Sequence, residues 1–410
     1  MKKRVVITGM GIVSPLGCDV EEAYQNAIAG YNGVSEITCM DTTDYEVKIA
    51  AQVKDFQPDK YLDRKEIRRQ DLFSQYAVYA AKEAYADAGL NEENCHPEDI
   101  GIIMASGIGG IQTTARDLKT LAEKGPDRMP PLFIPMIIPN MGAGNVAIAL
   151  NAQGHCECVA TACAAGTNAI GDAYRRIQYG DEKVIVAGGS EAGICECCLA
   201  GFNSLKALST TNNPETASRP FDKNRDGFVI GEGAGMLILE DLEHALARGA
   251  KIYGEIVGYA STCDAYHITA PNGEGIKQAM RKAMKDADIT PEQVDYINAH
   301  GTSTELNDSF EVAAIKDVFG DAAYQVSISS TKSMHGHALG GTGGIEAILS
   351  LKAIEKGMIP PTIHYETQDE ALDLDFTPNK AKKRDVQFAM SNSLGFGGHN
   401  AVVIFKKYGG

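Results

Sequence analysis

The sequence predicts an α/β protein built from two similar halves. Short β-branched runs alternate with alanine-rich runs of helical period, which is the pattern that strands and helices leave in an α/β fold. These runs lie at residues 4–8, 74–88, 100–105, 183–187, 276–287 and 294–299. A helical run, a Pro-Glu turn and a strand also recur in the same order later in the chain, which indicates an internal repeat.

The repeat can be followed residue by residue. The helical pattern Ala-x-x-x-Ala-x-x-Asp-Ala occurs at residues 80–88 and again at residues 279–287. Each copy is followed by Pro-Glu and by an apolar strand that ends in Ala-x-Gly, at residues 105–107 and 299–301. We therefore predict an N-terminal half, residues 1–250, and a C-terminal half, residues 251–410. No low-complexity linker separates them, so we expect one packed body.

Composition narrows the function. The 410 residues carry a net charge of -16 with a pI near 5.0, which argues against a surface built to bind nucleic acid or anionic lipid. No stretch approaches the roughly 18 apolar residues of a membrane span. The basic start at residues 2–4 leads into a strand interrupted by glycine rather than into a signal peptide. We expect a cytoplasmic protein that binds neither nucleic acid nor membrane.

The first strand is followed by a weak nucleotide-binding pattern. Residues 8–14, Thr-Gly-Met-Gly-Ile-Val-Ser, resemble the G-x-G-x-x-G turn of dinucleotide-binding folds. Ser14 replaces the third glycine, Pro15 follows it, and no second strand ends in an acidic residue at the expected distance. We interpret the segment as a strand-to-loop turn and predict no cofactor.

Ten cysteines are spread through the chain, and we expect them to be reduced thiols. Residues 155–158, His-Cys-Glu-Cys, and residues 195–198, Cys-Glu-Cys-Cys, bring thiols close enough together to suggest zinc. Buried cysteine usually packs as a small apolar residue. We therefore predict no metal site and expect these cysteines to be structural.

Candidate chemistry lies where predicted elements end. Cys163 stands at a turn from a strand into a helix of small side chains, where the helix dipole favours a thiolate nucleophile. His300 ends an apolar strand, and His337 lies between a β-rich run and a glycine-rich helix start. Near the end of the chain, residues 395–398, Gly-Phe-Gly-Gly, could direct several backbone N–H groups at one point. This placement is typical of an active site.

These motifs and their order along the chain resemble those of the β-ketoacyl synthases of the 3-oxoacyl-[acyl carrier protein] synthase II type. The resemblance extends from the first strand to the last. The family motifs T-A-C-A-x-G, N-A-H-G-T-S-T, K-S-x-x-G-H and N-S-x-G-F-G-G are present, and they contain Cys163, His300, His337 and Phe396. The resemblance implies a thiolase-like fold, with two halves that each hold a mixed five-stranded sheet in an α-β-α-β-α arrangement. It also implies a homodimer.

The resemblance implies a reaction as well. Cys163 would take an acyl group from acyl carrier protein, and malonyl-[acyl carrier protein] would then lose carbon dioxide and attack it, extending a fatty acid. The backbone N–H groups of Cys163 and Phe396 would hold one oxyanion, and His300 and His337 would hold the enolate. Lys332 and Glu346 would form a supporting charge pair.

Further substrate-binding residues follow from the same resemblance. Ile108 and Phe202 would line the acyl pocket, Thr302 and Thr304 would bind the pantetheine amides, and Gly395 and Gly397 belong to the donor loop. The entrance would carry Lys206 and Thr269. Lys65, Arg68 and Arg69 share one helix face by their i, i+3, i+4 spacing and would dock the acidic carrier protein.

Some alternatives stay open. A thiolase needs a second cysteine near the C-terminus, but the last cysteine is Cys263; a chain-length-factor-like subunit lacks the nucleophile, but Cys163 is present. A polyketide ketosynthase has nearly the same motifs and remains possible. His335 and His399 stand where the family commonly has threonine. On an extended segment His335 and His337 would face the same side, so His335 is expected near the site.

Overall fold

The computed structural model describes residues 2–409; Met1 and Gly410, the outer ends of the two predicted halves, lie outside the described residues. The strands are β1 Val5–Val13, β2 Val34–Glu36, β3 Ile49–Ala51, β4 Ile100–Ala105, β5 Cys156–Val159, β6 Val184–Glu191, β7 Gly233–Asp241, β8 Gly254–Cys263, β9 Tyr296–Asn298, β10 Ser327–Ser329, β11 Met358–Ile359, β12 Lys382–Lys383, β13 Phe388–Gly395 and β14 His399–Lys406. The helices are α1 Val20–Ala29, α2 Arg64–Arg69, α3 Leu72–Asp87, α4 Ile111–Lys124, α5 Phe133–Ile137, α6 Asn140–Leu150, α7 Ala165–Tyr179, α8 Glu196–Ser204, α9 Leu242–Ala247, α10 Glu274–Ala287, α11 Glu305–Phe319, α12 Lys332–His335 and α13 Thr342–Lys356.

Ten strands form a continuous mixed sheet in the order β10-β9-β13-β14-β8-β1-β7-β6-β4-β5. The first five belong to the C-terminal half and the last five to the N-terminal half, and the halves join where β8 pairs with β1. In each half the two outer pairs are parallel and the two inner pairs antiparallel. The predicted fold class, with two similar five-stranded mixed halves, is confirmed, and the halves form one continuous sheet instead of two separate ones. The boundary at residue 250 stays a prediction.

Five layers result from the way the helices cover these strands. α3 and α6 pack on the outer face of the N-terminal strands, and α10 covers the outer face of the C-terminal strands together with α11. α7 and α13 lie between the two halves and contact strands of both. Residues 342–354 of α13 are buried on every side, as expected for a central helix. A Cβ at Gly343 would lie 2.4 Å from the Thr167 nitrogen, so glycine allows the two helices to pack closely.

The sequence repeat corresponds to one contact that both halves make. In the N-terminal half, Asp87 of α3 accepts a hydrogen bond of 3.0 Å from the Met10 N–H group. In the C-terminal half, Asp286 of α10 accepts one of 3.1 Å from the Tyr259 N–H group. The residue before each donor is a glycine, because the helix backbone lies against the strand there. The repeated alanines and aspartate therefore record the same helix-on-strand packing.

The interpretation of residues 8–14 as a strand-to-loop turn is wrong. β1 continues through Val13, with an irregularity between Ile7 and Gly9, and the turn begins only at Ser14, whose N–H group donates to the Gly17 carbonyl. A Cβ at Gly11 would lie 2.0 Å from the Ala80 carbonyl oxygen of α3. The glycines therefore allow a helix to approach the strand rather than forming a turn.

The two ends of the ten-stranded sheet differ in exposure. β10 is buried along its whole length, whereas β5 is exposed at its first residue and only partly buried in the rest. Within residues 2–409, none of the helices is both long enough and apolar enough to cross a membrane.

Candidate active site

The candidate nucleophile lies in a strained turn. Cys163 is the middle residue of a short 3-10 turn, Ala162–Ala164, that connects β5 to α7. Ala162 has a φ of 51°, in the left-handed region that residues with a side chain rarely adopt. A Cβ on Gly395 would lie 2.8 Å from the Thr161 oxygen, so β13 can pass this turn only with glycine at that position. The resulting geometry turns the thiol into a cavity.

Burial decides the resting charge of this thiol. It raises the pKa of Cys163 to about 12, although the nearby Lys332 charge and the backbone N–H groups of Cys163 and Phe396 act in the opposite direction. Cys163 is therefore a thiol at rest. The sequence favours a thiolate at the positive end of α7, and the structure does not agree with it. The same two N–H groups are directed at the sulfur, so they lie beside the place where the carbonyl oxygen of an attacked thioester would carry its negative charge.

Two histidines share this cavity. The rings of His300 and His337 lie 5.4 Å apart, centre to centre, and nearly perpendicular. Burial lowers the pKa of each well below its ordinary value, and the positive charge of Lys332 lowers it further. Both imidazoles are therefore neutral at pH 7.

Each histidine is positioned by hydrogen bonds. The N–H groups of His300 and Gly301 each donate to the buried carboxylate of Glu311, at 2.8 Å. The His337 ring holds the Thr342 hydroxyl at 3.1 Å through Nδ1. Sequence reasoning missed Glu311 because it comes from α11, and no spacing or motif marks it.

Lys332 and Glu346 form a buried ion pair, and the Lys332 charge acts on both histidines. Burial raises the pKa of Glu346 to about 7, and the lysine charge opposes that rise. Neither side chain lines the cavity wall. The pair therefore acts on the site through charge and position and does not touch a ligand in the cavity.

The cavity has a volume of about 420 Å³. The predicted site residues that line it are Cys163, Phe202, Lys206, Thr269, His300, Thr302, Thr304, His337, Gly395 and Phe396. Ile108 lies outside the wall and packs in the apolar cluster that also contacts Phe202. Gly397 is also outside it, and its N–H group donates to the Ile268 carbonyl at 2.7 Å. The wall further includes Arg225 and Asn400, which no motif had marked.

The predicted docking residues lie on the short helix α2, away from the cavity wall. Asp63 caps this helix by accepting the Lys65 and Glu66 N–H groups, and the Glu66 side chain accepts the Asp63 N–H group in return. Lys65, Arg68 and Arg69 are all exposed. The cap thus holds a short helix whose three cationic side chains extend into solvent.

His335 does not reach the cavity. It ends α12, and Gly336 follows with a φ of 65°, so the segment is not extended and the argument from alternation fails. The ring holds the Thr331 hydroxyl at 3.0 Å, and burial lowers the pKa of His335 to about 3. His399 begins β14 and also lies outside the wall.

A thiol that faces two neutral imidazoles, with two backbone donors aimed at its sulfur, can form and then cleave a thioester. In a doubled five-layer α/β fold, that chemistry defines the class of thiolase-fold condensing enzymes. The chain belongs to the beta-ketoacyl synthase family: the N-terminal domain of the family matches residues 2–245 and the C-terminal domain matches residues 253–366.

Known relatives agree with this assignment over the whole chain. The chain is 53% identical over 408 residues to 3-oxoacyl-[acyl-carrier-protein] synthase 2 of Staphylococcus aureus, covering 99% of both proteins. It is 51% identical over 410 residues to the synthase of the same name from Synechocystis, again covering 99% of both.

Solved structures are similar as well. A beta-ketoacyl synthase from Burkholderia phymatum superposes with a TM-score of 0.92 at 36% identity, over 99% of this chain and 100% of the other. A type II polyketide ketosynthase bound to a hexaketide, in complex with its acyl-carrier protein, superposes with a TM-score of 0.93 at 36% identity and full coverage of both chains.

Proposed function

We propose that this enzyme extends an acyl chain in fatty acid synthesis. Cys163 would hold the acyl group, and malonyl-[acyl carrier protein] would condense with it to give 3-oxoacyl-[acyl carrier protein] and carbon dioxide. The observation that carries the proposal is the convergence of Cys163, two backbone donors and two neutral histidines on one cavity. The names of the relatives that are about half identical support the same reaction.

In the first half-reaction one thioester is exchanged for another. The Cys163 sulfur attacks the carbonyl carbon of the acyl-pantetheine thioester, and the proton that it loses returns to the departing pantetheine thiol. The N–H groups of Cys163 and Phe396 stabilise the oxyanion. Because the resting thiol is protonated, a neutral imidazole in the same cavity would carry the proton.

In the second half-reaction the malonyl group loses carbon dioxide, and negative charge develops on its thioester oxygen. A neutral imidazole can donate one N–H group to that oxygen while its other nitrogen is held in place. In His337 the Nδ1 atom is held by Thr342, which leaves Nε2 for the substrate. The carbanion then attacks the acyl thioester, and the Cys163 thiolate leaves and regains a proton.

The test is to map the acyl group and to separate the two half-reactions. After incubation with an acyl donor, mass mapping should find the adduct on Cys163. The Cys163→Gln variant should lose condensation but still decarboxylate malonyl-[acyl carrier protein], because both histidines remain. Cys18→Ser, which removes a partly buried thiol outside the cavity wall, should keep full activity. An adduct on another cysteine would contradict the assignment.

The carrier protein is acidic, so its docking site should be basic. The exposed cations of α2 provide such a surface, and Lys206 and Thr269 line the cavity that the pantetheine arm must enter. Thr302 and Thr304 line the same wall and would hydrogen-bond the pantetheine amides. A related ketosynthase has been solved with its own acyl-carrier protein. Attraction of this kind acts mainly on association and weakens with salt.

Charge reversal tests the docking surface. Replacing Lys65, Arg68 and Arg69 with glutamate should reduce turnover of carrier-bound substrate and leave turnover of a small acyl-pantetheine mimic unchanged. The matched control replaces three exposed lysines of the C-terminal half, Lys282, Lys285 and Lys380, and should leave both activities unchanged. Equal loss with carrier and mimic would mean that α2 has a structural role instead.

We also propose that the enzyme is a homodimer joined along the exposed β5 edge. An unpaired edge strand is usually covered, and Ile134 and Ile148 expose 57% and 76% of their surface on the nearby helices α5 and α6. Ile148→Lys should therefore produce monomers in light scattering, whereas Leu246→Lys, at an exposed site of α9, should not. A dimer that survives the first change would contradict this interface.

We propose that the bound acyl chain extends along Phe202 toward Ile108, because both side chains pack in one apolar cluster. Ile108→Phe should then shorten the accepted acyl chain, since overfilling a packed site costs about 1–3 kcal/mol. An unchanged chain-length profile would remove this role from Ile108. Turnover of a series of acyl and β-ketoacyl primers would decide between fatty acid and polyketide synthesis.

We also propose a cytoplasmic location, because the reaction needs Cys163 in its reduced form and the cytoplasm keeps thiols reduced.

A further inference from the structure

A second group of reactive thiols lies outside the catalytic cavity. Cys195, Cys197 and Cys198 place their three sulfur atoms within 4.8 Å of one another, and the Cys195 and Cys197 sulfurs are 3.5 Å apart. Cys195 and Cys198 are buried, whereas Cys197 is exposed. We call these three residues the thiol cluster. The condensation chemistry uses none of them, and the expectation that they only fill space does not explain why three sulfurs meet.

The thiol cluster occupies the N-terminus of α8. Cys195 is the N-cap residue, and Cys198 is the third residue of this nine-residue helix, so the two have Cys-x-x-Cys spacing. That spacing at a helix start places two thiols within reach of a disulfide and exposes the first to unpaired backbone N–H groups. The adjacent Cys198 thiol and amide lower the pKa of Cys195, against the effect of burial.

We propose that the thiol cluster is a redox site in which Cys195 and Cys198 form a reversible disulfide. The oxidant is a low-molecular-weight disulfide that enters at the exposed Cys197. The Cys195 sulfur attacks one sulfur of the external disulfide, whose S–S bond breaks and releases the first thiol. The Cys198 sulfur then attacks the mixed disulfide on Cys195, which forms the Cys195–Cys198 bond and releases the second thiol, so that two electrons and two protons pass to the oxidant.

A soft metal ion is the other ligand that three thiols could bind. Three protein sulfurs leave one position of a tetrahedral zinc site open, and among residues 2–409 no fourth histidine, cysteine or carboxylate ligand joins the cluster. Two sulfurs within 4.8 Å of each other, at Cys-x-x-Cys spacing on a helix start, also have the placement that a disulfide needs. The observations therefore favour the disulfide, and metal binding becomes an outcome of the test.

The thiol cluster is connected to the acyl pocket by direct packing. Cys198 and Phe202 are one helical turn apart on α8 and belong to the same apolar cluster as Ile108. The Phe202 ring contacts the Phe228 ring at 5.4 Å, and Phe228 contacts the His337 ring at 5.3 Å. A disulfide at the start of α8 would therefore change the wall of the cavity. This consequence rests on the proposed function, whereas the disulfide itself does not.

The experiment equilibrates the full-length protein with reduced and oxidised glutathione in the presence of a chelator, alkylates the remaining thiols and maps the products by mass. The expected product has lost two hydrogens, with a bridge between Cys195 and Cys198. Cys195→Ser should abolish the bridge, and Cys156→Ser should not affect it. Three outcomes would overturn the proposal: a mixed disulfide at Cys197 as the sole product, a final bridge that includes Cys197, or no oxidation at all. Stoichiometric Zn²⁺ binding by a protein that forms no bridge without metal would assign a metal site instead.

A second measurement tests the connection to the pocket. Oxidised and reduced enzyme are compared on short and long acyl primers, with Cys195→Ser as the variant that cannot switch. Coupling through packed side chains is typically about 0.5–2 kcal/mol, so the ratio of long-primer to short-primer turnover should change roughly two- to thirtyfold on oxidation. An unchanged ratio in protein whose bridge has been mapped would overturn the coupling and leave the redox site in place. Failure of condensation in every form would instead count against the proposed function.

Discussion

Two loops at equivalent positions in the two halves have similar backbone support, but different side chains at their middle. β4 and β9 hold the same position in their five-stranded sheets, and each is followed by an Ala-x-Gly loop. In the N-terminal half the buried carboxylate of Glu191 accepts the backbone N–H groups of Gly107 and Ile108. In the C-terminal half Glu311 accepts those of His300 and Gly301. Both loops are thus fixed by a buried acid.

The side chain at the middle of each loop makes the difference. Ser106 turns inward and donates to Glu191 at 2.7 Å, so it completes the support of its own loop. His300, in the corresponding position, lines the cavity with Cys163. The acids also come from different elements, since Glu191 ends β6 and Glu311 lies on α11. The fold duplicates the scaffold of the loop, and one side chain decides which copy lines the cavity.

The largest expected effect comes from removing His300. His300→Ala should reduce condensation about 10²- to 10³-fold, the usual cost of losing one donor to a developing oxyanion. Acylation of Cys163 should continue, because its backbone donors remain. Ser106→Ala at the equivalent position is the control and should lower the condensation rate less than about tenfold. Rapid-quench measurement of both steps makes the comparison, and equal losses in the two variants would mean that the loops are not divided in this way.

A smaller effect should separate the two buried acids. Glu191→Gln and Glu311→Gln each replace a carboxylate that accepts several N–H groups. Each should lower the free energy of unfolding by about 1–3 kcal/mol for a donor that is left unpaired. Only the first should lower the pKa of Cys163, because the Glu191 charge raises it. The pH dependence of iodoacetamide alkylation measures that pKa in a range where Glu191 is ionised. A shift in both variants, or in neither, would contradict the separation.

One glycine in each half lies against a helix, Gly9 against α3 and Gly258 against α10. Replacing them tests whether the two halves pack strand and helix in the same way. A Cβ at Gly9 would lie 2.2 Å from the Ala84 oxygen, and one at Gly258 would lie 2.3 Å from the Ala283 oxygen. Gly9→Ala and Gly258→Ala should therefore cost similar amounts, about 1–3 kcal/mol each from overpacking. Urea unfolding measures both changes. A large cost at one position and none at the other would show that the repeat in sequence does not reflect equivalent packing.

The smallest expected effect is that of mild acid on condensation. The pKa values of His300 and His337 are lowered by burial, so both rings should stay neutral, and the rate should change little, between pH 7.5 and about 6. Stability behaves differently: the unfolded histidines bind protons below about pH 6.5 and the folded ones do not, so stability is full above that pH and falls as pH decreases. His335, with a pKa of about 3, adds to the loss.

Stopped-flow rates and urea unfolding across this pH range provide the measurement. His300, His335 and His337 are buried and all belong to the C-terminal half. As the pH decreases, hydrogen exchange should therefore show loss of amide protection in that half before it shows loss around Cys163. A condensation rate that falls with an apparent pKa near 6.5 would mean that the rings are more exposed to protonation than their burial indicates.

Much of the fold could be predicted from local pattern. β4 lies at the predicted residues 100–105, and α3 and α10 agree with the predicted helices to within a few residues. The exception is the start of the chain, where Gly9 and Gly11 suggested a turn but belong to β1. Glycine allows both a turn and close packing against a helix, and only the position of α3 distinguishes them.

The sequence by itself determined the α/β class, the internal repeat and the order of the elements, because periodicity is a local property of the chain. Its motifs, through their resemblance to the β-ketoacyl synthases, implied the thiolase-like fold and the candidate site residues. The tertiary structure decided which distant residues meet and how they are charged. Glu191 and Glu311 reach their loops from other elements, Ile108 packs behind the cavity wall, and Gly336 directs His335 away from it. Cys163 rests as a thiol and both cavity histidines as neutral rings. These properties depend on desolvation, which is set by all the atoms that surround a group rather than by its neighbours in sequence.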